Sequence, residues 1–321
     1  MLSLSGDVKF SDIFGFQPKG IPDFAVDIKR DWSEWAEQFI PSKDRFANWV
    51  FSDDVPELVF TMLYGGKCRN VGPPGCGKTD VGEVICAYLG VPYLSLSMNS
   101  AVEITDLAGK TNVRGGETLF IESTLVKFYR ESGTRMIQVN ELTKTRADVC
   151  MFFQPAWDSQ NYLLLQEKEE DNIIRPGGGL MWYATDNTLG LGDDIDKYSA
   201  ANVLDGSTLD RWTANFRATY LPADKEQGLV RAWQPGIKDP LAKKLVQFAG
   251  LCRTAFAEGS LSLPVSPRHL KSIADLTAAW GNPVRAIGVV VWNAVPKEEQ
   301  PAIQSFMDTV GFDATYGKLS V

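Results

Sequence analysis

Histidine is nearly missing from this chain. His269 stands alone among 321 residues, which removes multi-histidine metal sites and any arrangement needing a second imidazole. The five cysteines (Cys68, Cys76, Cys86, Cys150, Cys252) are odd in number and form no CxxC pair, so neither a disulfide framework nor a zinc cluster is expected. No apolar run approaches the roughly 20 residues that span a bilayer, and MLSLSGDVKF has no charged start followed by a long apolar stretch. A cytoplasmic protein without a membrane partner is expected. Internal repeats and low-complexity tracts are absent. Positive charge is the minority sign: 32 Lys and Arg against 40 Asp and Glu give a net charge of −8. That balance disfavours a broad grip on nucleic-acid backbone, without excluding a local basic groove, and shifts the expectation toward protein partners.

What remains is the composition of an ordinary globular protein, 44% hydrophobic and 22% charged, long enough for one α/β core and a smaller accessory domain. Residues 1–55 mix polar turns with aromatics. Trp32, Trp35 and Phe39 fit one face of a helix, which reads as a packed N-terminal arm. Over 56–221, strand-like runs at Lys67–Val71, Tyr93–Ser97, Arg135–Val139, Leu180–Thr185 and Asn215–Tyr220 alternate with helical or loop segments, predicting a mostly parallel sheet. Between Gln160 and Gly179 two short apolar pieces flank a charged tip and a glycine cluster, which predicts an inserted β-hairpin. Over 222–321 five segments carry apolar residues at helical spacing, predicting a helical lid.

The most informative stretch is Gly72-Pro73-Pro74-Gly75-Cys76-Gly77-Lys78-Thr79, with Asp80 after it. It fits the phosphate-binding pattern GxxxxGK[ST] and lies between a predicted strand and a predicted helix, the context that gives this motif meaning. Glycines let successive N–H groups turn toward phosphate oxygens, the helix N-terminus adds its dipole, Lys78 neutralises β/γ charge, and the Thr79 hydroxyl suits Mg²⁺. The expected ligands are therefore ATP and Mg²⁺. Next, Met136-Ile137-Gln138-Val139-Asn140-Glu141 reads as an apolar strand ending in two polar residues. Glu141 is placed to polarise an attacking water as general base, and Asn140 occupies the position that normally supports Mg²⁺ through a carboxylate. An amide oxygen there brings no charge, which predicts weaker Mg²⁺ binding.

These motifs resemble those of AAA+ ATPases: a P-loop core with a mostly parallel sheet and inserted β-hairpin, followed by a helical lid. That resemblance implies a γ-phosphate sensor at Asn187, a trans-acting arginine finger at Arg211 and a lid-borne sensor arginine at Arg268, in Ser266-Pro267-Arg268. His269 beside it reads as a surface or packed residue. Within AAA+ proteins the chain resembles the MoxR-related group, above all the ATPase subunit of aerobic cobaltochelatase. Asn187-Thr188-Leu189-Gly190-Leu191-Gly192-Asp193, then Tyr198, then Asp210-Arg211-Trp212 carry the likeness. So do Glu141 followed by Arg146, Asp148, Val149 and Phe152, the run Asp106-Leu107-Ala108-Gly109-Lys110, and Ser11-Asp12-Ile13-Phe14-Gly15. Asn140 in place of an aspartate and the loop GPPGCGKT depart from that family's pattern. The resemblance implies a hexameric homo-oligomer driving a metal-inserting subunit through an adaptor. Two other readings stay open: a MoxR-like remodelling ATPase, cellular or viral, with another client, and a nucleotide-binding switch that hydrolyses poorly because of Asn140.

Overall fold

The computed structural model describes residues 8–190 and 202–312. Its strands, in chain order, are β1 (Lys67–Val71), β2 (Tyr93–Ser97), β3 (Gly109–Arg114), β4 (Glu117–Glu122), β5 (Arg135–Asn140), β6 (Leu163–Leu164), β7 (Ile173–Ile174), β8 (Leu180–Asp186) and β9 (Ala214–Arg217). Five of them form the central sheet in the order β2-β5-β8-β1-β9, every pair parallel. All six residues of β5 are buried, as expected where both faces of a parallel sheet are covered. Alternation along the strands sends side chains to two cores. Ile137, Val139, Trp182 and Ala184 join Phe128, Phe153 and Trp157 on one face. Met136, Met181 and Tyr183 join Ile85, Leu89 and the N-terminal Phe10 on the other. Each large side chain buried in this way contributes about 1.5–3 kcal/mol.

The remaining strands make two hairpins. β6 and β7 pair antiparallel inside Gln160–Gly179, where a hairpin is predicted. A longer one, β3 with β4, turns through Gly115 and Gly116 at φ +63° and +90°. The sequence reading uses only Asp106–Lys110, at its start, as part of a family signature and misses the hairpin. The N-terminal arm also differs from expectation: the helix there covers only Glu34–Glu37, capped by the Ser33 side chain, which accepts from the Ala36 N–H. Trp32 precedes it and packs with the core containing Phe10, whereas Trp35 and Phe39 pack on the opposite core, their rings 4.9 Å apart. The three aromatics therefore do not share one helical face.

Among the described residues the chain divides into two compact units. One holds the sheet and runs to Ala218; the other takes Thr219 onward together with the loop tip Pro73–Cys76. The second unit is helical: Ala223–Trp233, Asp239–Ala257, Pro267–Trp280, Pro283–Val290 and Gln300–Thr309. They bury Leu245, Phe248, Ile273, Ile287 and Ile303. Inside it Arg253 grips Glu226 through two bonds of 2.8 and 2.7 Å, lies over the Tyr220 ring, and donates from Nε to the Val265 carbonyl. The Tyr220 hydroxyl donates to the Pro74 carbonyl at 2.9 Å. No helix among the described residues is long and apolar enough to cross a membrane.

Candidate active site

β1 ends at Val71, and the predicted phosphate loop runs directly into the helix Lys78–Leu89. Gly75 and Gly77 hold φ of +73° and +89°, values that side chains strain to adopt. Gly72 is required for a different reason: a Cβ there would stand 2.3 Å from the Ala218 carbonyl oxygen. One helical turn inside, Gly82 lets the helix lie against the sheet, because its Cβ would meet Gln138 Oε1 at 2.0 Å and the Tyr183 ring at 2.8 Å. The helix start is tied down further. The Tyr183 hydroxyl donates to the Lys78 carbonyl at 2.9 Å, and Gln138 Nε2 donates to the Thr79 carbonyl at 2.9 Å. Thr79 itself is exposed and Asp80 is half-buried in the first turn.

Lys78 is buried, and its ammonium donates to the Gly72 carbonyl at 2.7 Å and to Asn187 Oδ1 at 3.2 Å. Two residues separated by 109 positions, singled out for different reasons, thus meet at one nitrogen. An ammonium donating to neutral oxygens at the N-terminal end of a helix, beside a glycine loop with backbone in the left-handed region, fits a polyphosphate.

Glu141 follows the last residue of β5 and adopts the left-handed conformation, φ 57° and ψ 49°. For a residue with a side chain this costs on the order of 1–3 kcal/mol, a strain found where geometry matters for function. The turn brings Lys144 back to the Glu141 carboxylate, at 2.7 Å. Asn140 is buried and committed on both sides. Its Nδ2 donates to Ser95 Oγ at 2.7 Å, and its Oδ1 accepts from Gln138 Nε2 at 2.6 Å and from Thr185 Oγ1 at 3.0 Å. The Gln138 amide is oriented by the Thr79 carbonyl, which can only accept. The oxygen expected to support Mg²⁺ therefore already serves two donors. Among the described residues no group of three His, Cys, Asp or Glu side chains is placed to hold a metal.

The other expected residues have these surroundings. Arg211 follows the short helix Gly206–Asp210, donates to the Ser207 carbonyl, and pairs with Asp158 at 3.2 Å. Arg268 is in the second unit, in the first turn of the helix capped by Ser266. His269 acts in that cap, its Nδ1 accepting from the Ser266 N–H at 3.3 Å. Leu191, Gly192, Asp193 and Tyr198 of the family signature lie outside the described residues.

Sequence reasoning passes over two charged residues. Arg69 and Asp186, both buried, form an ion pair of 2.8 Å between the middle of β1 and the end of β8. Burial pushes the Asp186 carboxyl above its usual range, with the Arg69 charge and the Thr143 N–H pulling the other way. A charge inside the run KCRNV is the available signal. Gln138, inside MIQVN, is a second one.

The AAA domain (dynein-related subfamily) matches residues 71–197. Aerobic cobaltochelatase subunit CobS from Sinorhizobium sp is 30% identical over 240 residues, 72% of this chain and 71% of that protein. The chain belongs to the MoxR-related, CobS-like AAA+ ATPases. Protein NorQ from Paracoccus denitrificans (strain Pd 1222), another relative, is 29% identical over 106 residues, 33% of this chain and 38% of that one. A mutant of Thermotoga maritima RuvB superposes with a TM-score of 0.49 at 12% identity, covering 84% of this chain and 71% of that one. As a member of this family the chain is an ATPase that binds nucleotide.

Proposed function

We propose that this ATPase works in the cytoplasm as a homo-oligomeric ring, hexameric in its working form, that couples ATP turnover to the reshaping of a partner protein. The observation that carries the site assignment is the meeting of Gly72, Lys78 and Asn187 at one ammonium, with Glu141 at the end of the strand next to the one that leads to Asn187. In this reading Gly72 to Thr79, with Asp80, hold the phosphates; Lys78 and Asn187 orient them; Glu141 takes the proton of the attacking water. Bound Mg-ATP supplies the scissile γ-phosphate and the metal charge that offsets its negative oxygens. Thr79 contributes a hydroxyl to the metal, and Asn140 acts on it indirectly. Arg211 reaches the site of the neighbouring subunit, and Arg268 reports nucleotide state through the lid.

The partner follows from the relative whose name calls it a cobaltochelatase subunit: a metal-inserting protein that this motor drives, through an adaptor, is the first candidate client. The NorQ likeness supports the alternative of another client. The engagement of Asn140 Oδ1 by two donors favours a second reading, in which nucleotide binding outruns hydrolysis and the chain acts as a switch. Steady-state Mg-ATPase measured against protein concentration, with mass determined under the same conditions, separates these. Specific activity that rises with assembly supports the ring motor. An assembled species that binds ATP without turnover supports the switch.

A further inference from the structure

We infer that the buried Arg69–Asp186 pair is the positioning unit that holds the sensor loop around Asn187 in register with the P-loop, an inference that rests on the ATPase reading above. The guanidinium uses three directions at once. Nε donates to Asp186 Oδ2 at 2.8 Å, Nη1 to the Leu189 carbonyl at 3.0 Å and Nη2 to the Thr188 carbonyl at 3.0 Å. Asp186 is equally committed: its Oδ1 accepts from the Thr143 N–H at 2.7 Å, and its backbone carbonyl accepts from the Gly72 N–H at 3.2 Å. One ion pair therefore touches the first residue of the phosphate loop, the residue two places beyond Glu141, and the two residues following Asn187. Gly190 completes the loop at φ +79°, where a Cβ would stand 3.4 Å from Arg69 Nη2.

Stability alone gives little reason for such a pair, because desolvating two charges offsets most of their attraction and apolar residues of similar volume often serve as well. What apolar residues cannot do is aim three planar N–H groups at a carboxylate and two loop carbonyls. Lysine cannot either, since one ammonium on a flexible stem reaches the carboxylate or the loop but not this whole set. The side-chain chemistry therefore suits geometry rather than stability. Arg69 touches no reacting atom; it acts through Asn187, whose amide shares the Lys78 ammonium.

The test compares the full chain with Arg69→Lys and with Arg69→Met/Asp186→Leu, the second removing both charges together so that neither is left buried alone. Four quantities are read: kcat, KM, the Kd of a fluorescent ATP analogue, and hydrogen exchange in the peptide containing residues 187–190. Both variants should keep nucleotide Kd close to wild type, with Tm lowered in the double variant only by the loss of the carboxylate that accepts from the Thr143 N–H, while kcat falls on the order of 100-fold, the loss that an ångström of misplacement can cause. Exchange in the sensor-loop peptide should rise while that of β5 and β8 stays protected. The inference is overturned if kcat stays within about twofold of wild type, if exchange in that peptide is unchanged, or if Kd, Tm and kcat collapse together in both variants. A wild-type protein without turnover would instead count against the ATPase reading, and the exchange result would still decide the clamp.

Discussion

Lys78 and Glu141, which on our proposal serve one reaction, are held in different ways. Lys78 is 6% exposed and lies between the Gly72 carbonyl and Asn187, behind which the Arg69–Asp186 pair is closed off from solvent. The Glu141 carboxylate is 44% exposed and is met by Lys144, itself part-exposed. Arg211 resembles Glu141 in this respect, with a partner in Asp158 that is itself 41% exposed. The phosphate-holding half is thus built from buried, directional bonds. The half that meets water and, on our proposal, the neighbouring subunit is built from surface ion pairs, which contribute little to stability and exchange partners easily. A site that must bind the same phosphates every cycle and also respond to assembly has reason to be built this way.

The largest loss of activity is expected at Arg211. Arg211→Ala should lower kcat by roughly a thousandfold in assembled protein, the usual worth of an arginine finger. It should shift thermal stability little, because its intrachain pair is partly in water. A large loss of stability with a small loss of rate would reverse its assignment from finger to strut. Glu141→Gln is next: removing a general base costs on the order of 100-fold or more in kcat. Equilibrium binding of nucleotide should be retained, since no phosphate-holding group is touched. On the buried side, Gly82→Ala tests the close approach of helix and sheet. A methyl group 2.0 Å from Gln138 Oε1 should destabilise the fold by about 1–3 kcal/mol in chemical denaturation. No such penalty is expected for Gly178→Ala, whose Cβ would meet nothing within 4 Å and whose φ is not positive.

The smallest effect concerns acid. The Ser159 N–H and hydroxyl, and then Arg211, hold Asp158 below the ordinary carboxylate range. Its contribution is present above the unfolded-state pKa and is lost as pH falls through the lower folded value. Asp186 has the opposite sign: its raised pKa means the folded state takes up the proton first, so this carboxyl does not promote acid unfolding. Asp158→Asn should therefore flatten slightly the fall of Tm below about pH 4. An unchanged acid slope would show that Asp158 carries none of the acid sensitivity.

Much of the core is readable from the sequence. The strands of the parallel sheet lie within a few residues of where the pattern predicts them, and the phosphate loop declares itself by type and spacing. The hairpin Gly109–Glu122 escapes that reading although its signal is present, two glycines between alternating residues in TNVRGGETLFI. The family likeness of Asp106–Lys110 obscures this simpler rule. Partnerships are not legible in the same way. Nothing along the chain says that Asn140 commits its oxygen to Gln138 and Thr185, or that Arg69 pairs with Asp186 at a separation of 117 residues. Such pairings depend on strand order and register, which local patterns do not encode.

On our proposal Lys78, Asn187 and Glu141 of one subunit are completed by Arg211 of the next. The most direct measurement is Mg-ATPase activity of a one-to-one mixture of Glu141→Gln and Arg211→Ala, with mixed assembly verified by native mass. Each variant alone should be nearly inactive. In mixed rings an Arg211→Ala subunit keeps its own Glu141 and can receive an intact arginine from a Glu141→Gln neighbour, so activity should reappear well above either parent. Mixed rings that stay inactive would contradict the trans assignment and confine the site to a single subunit.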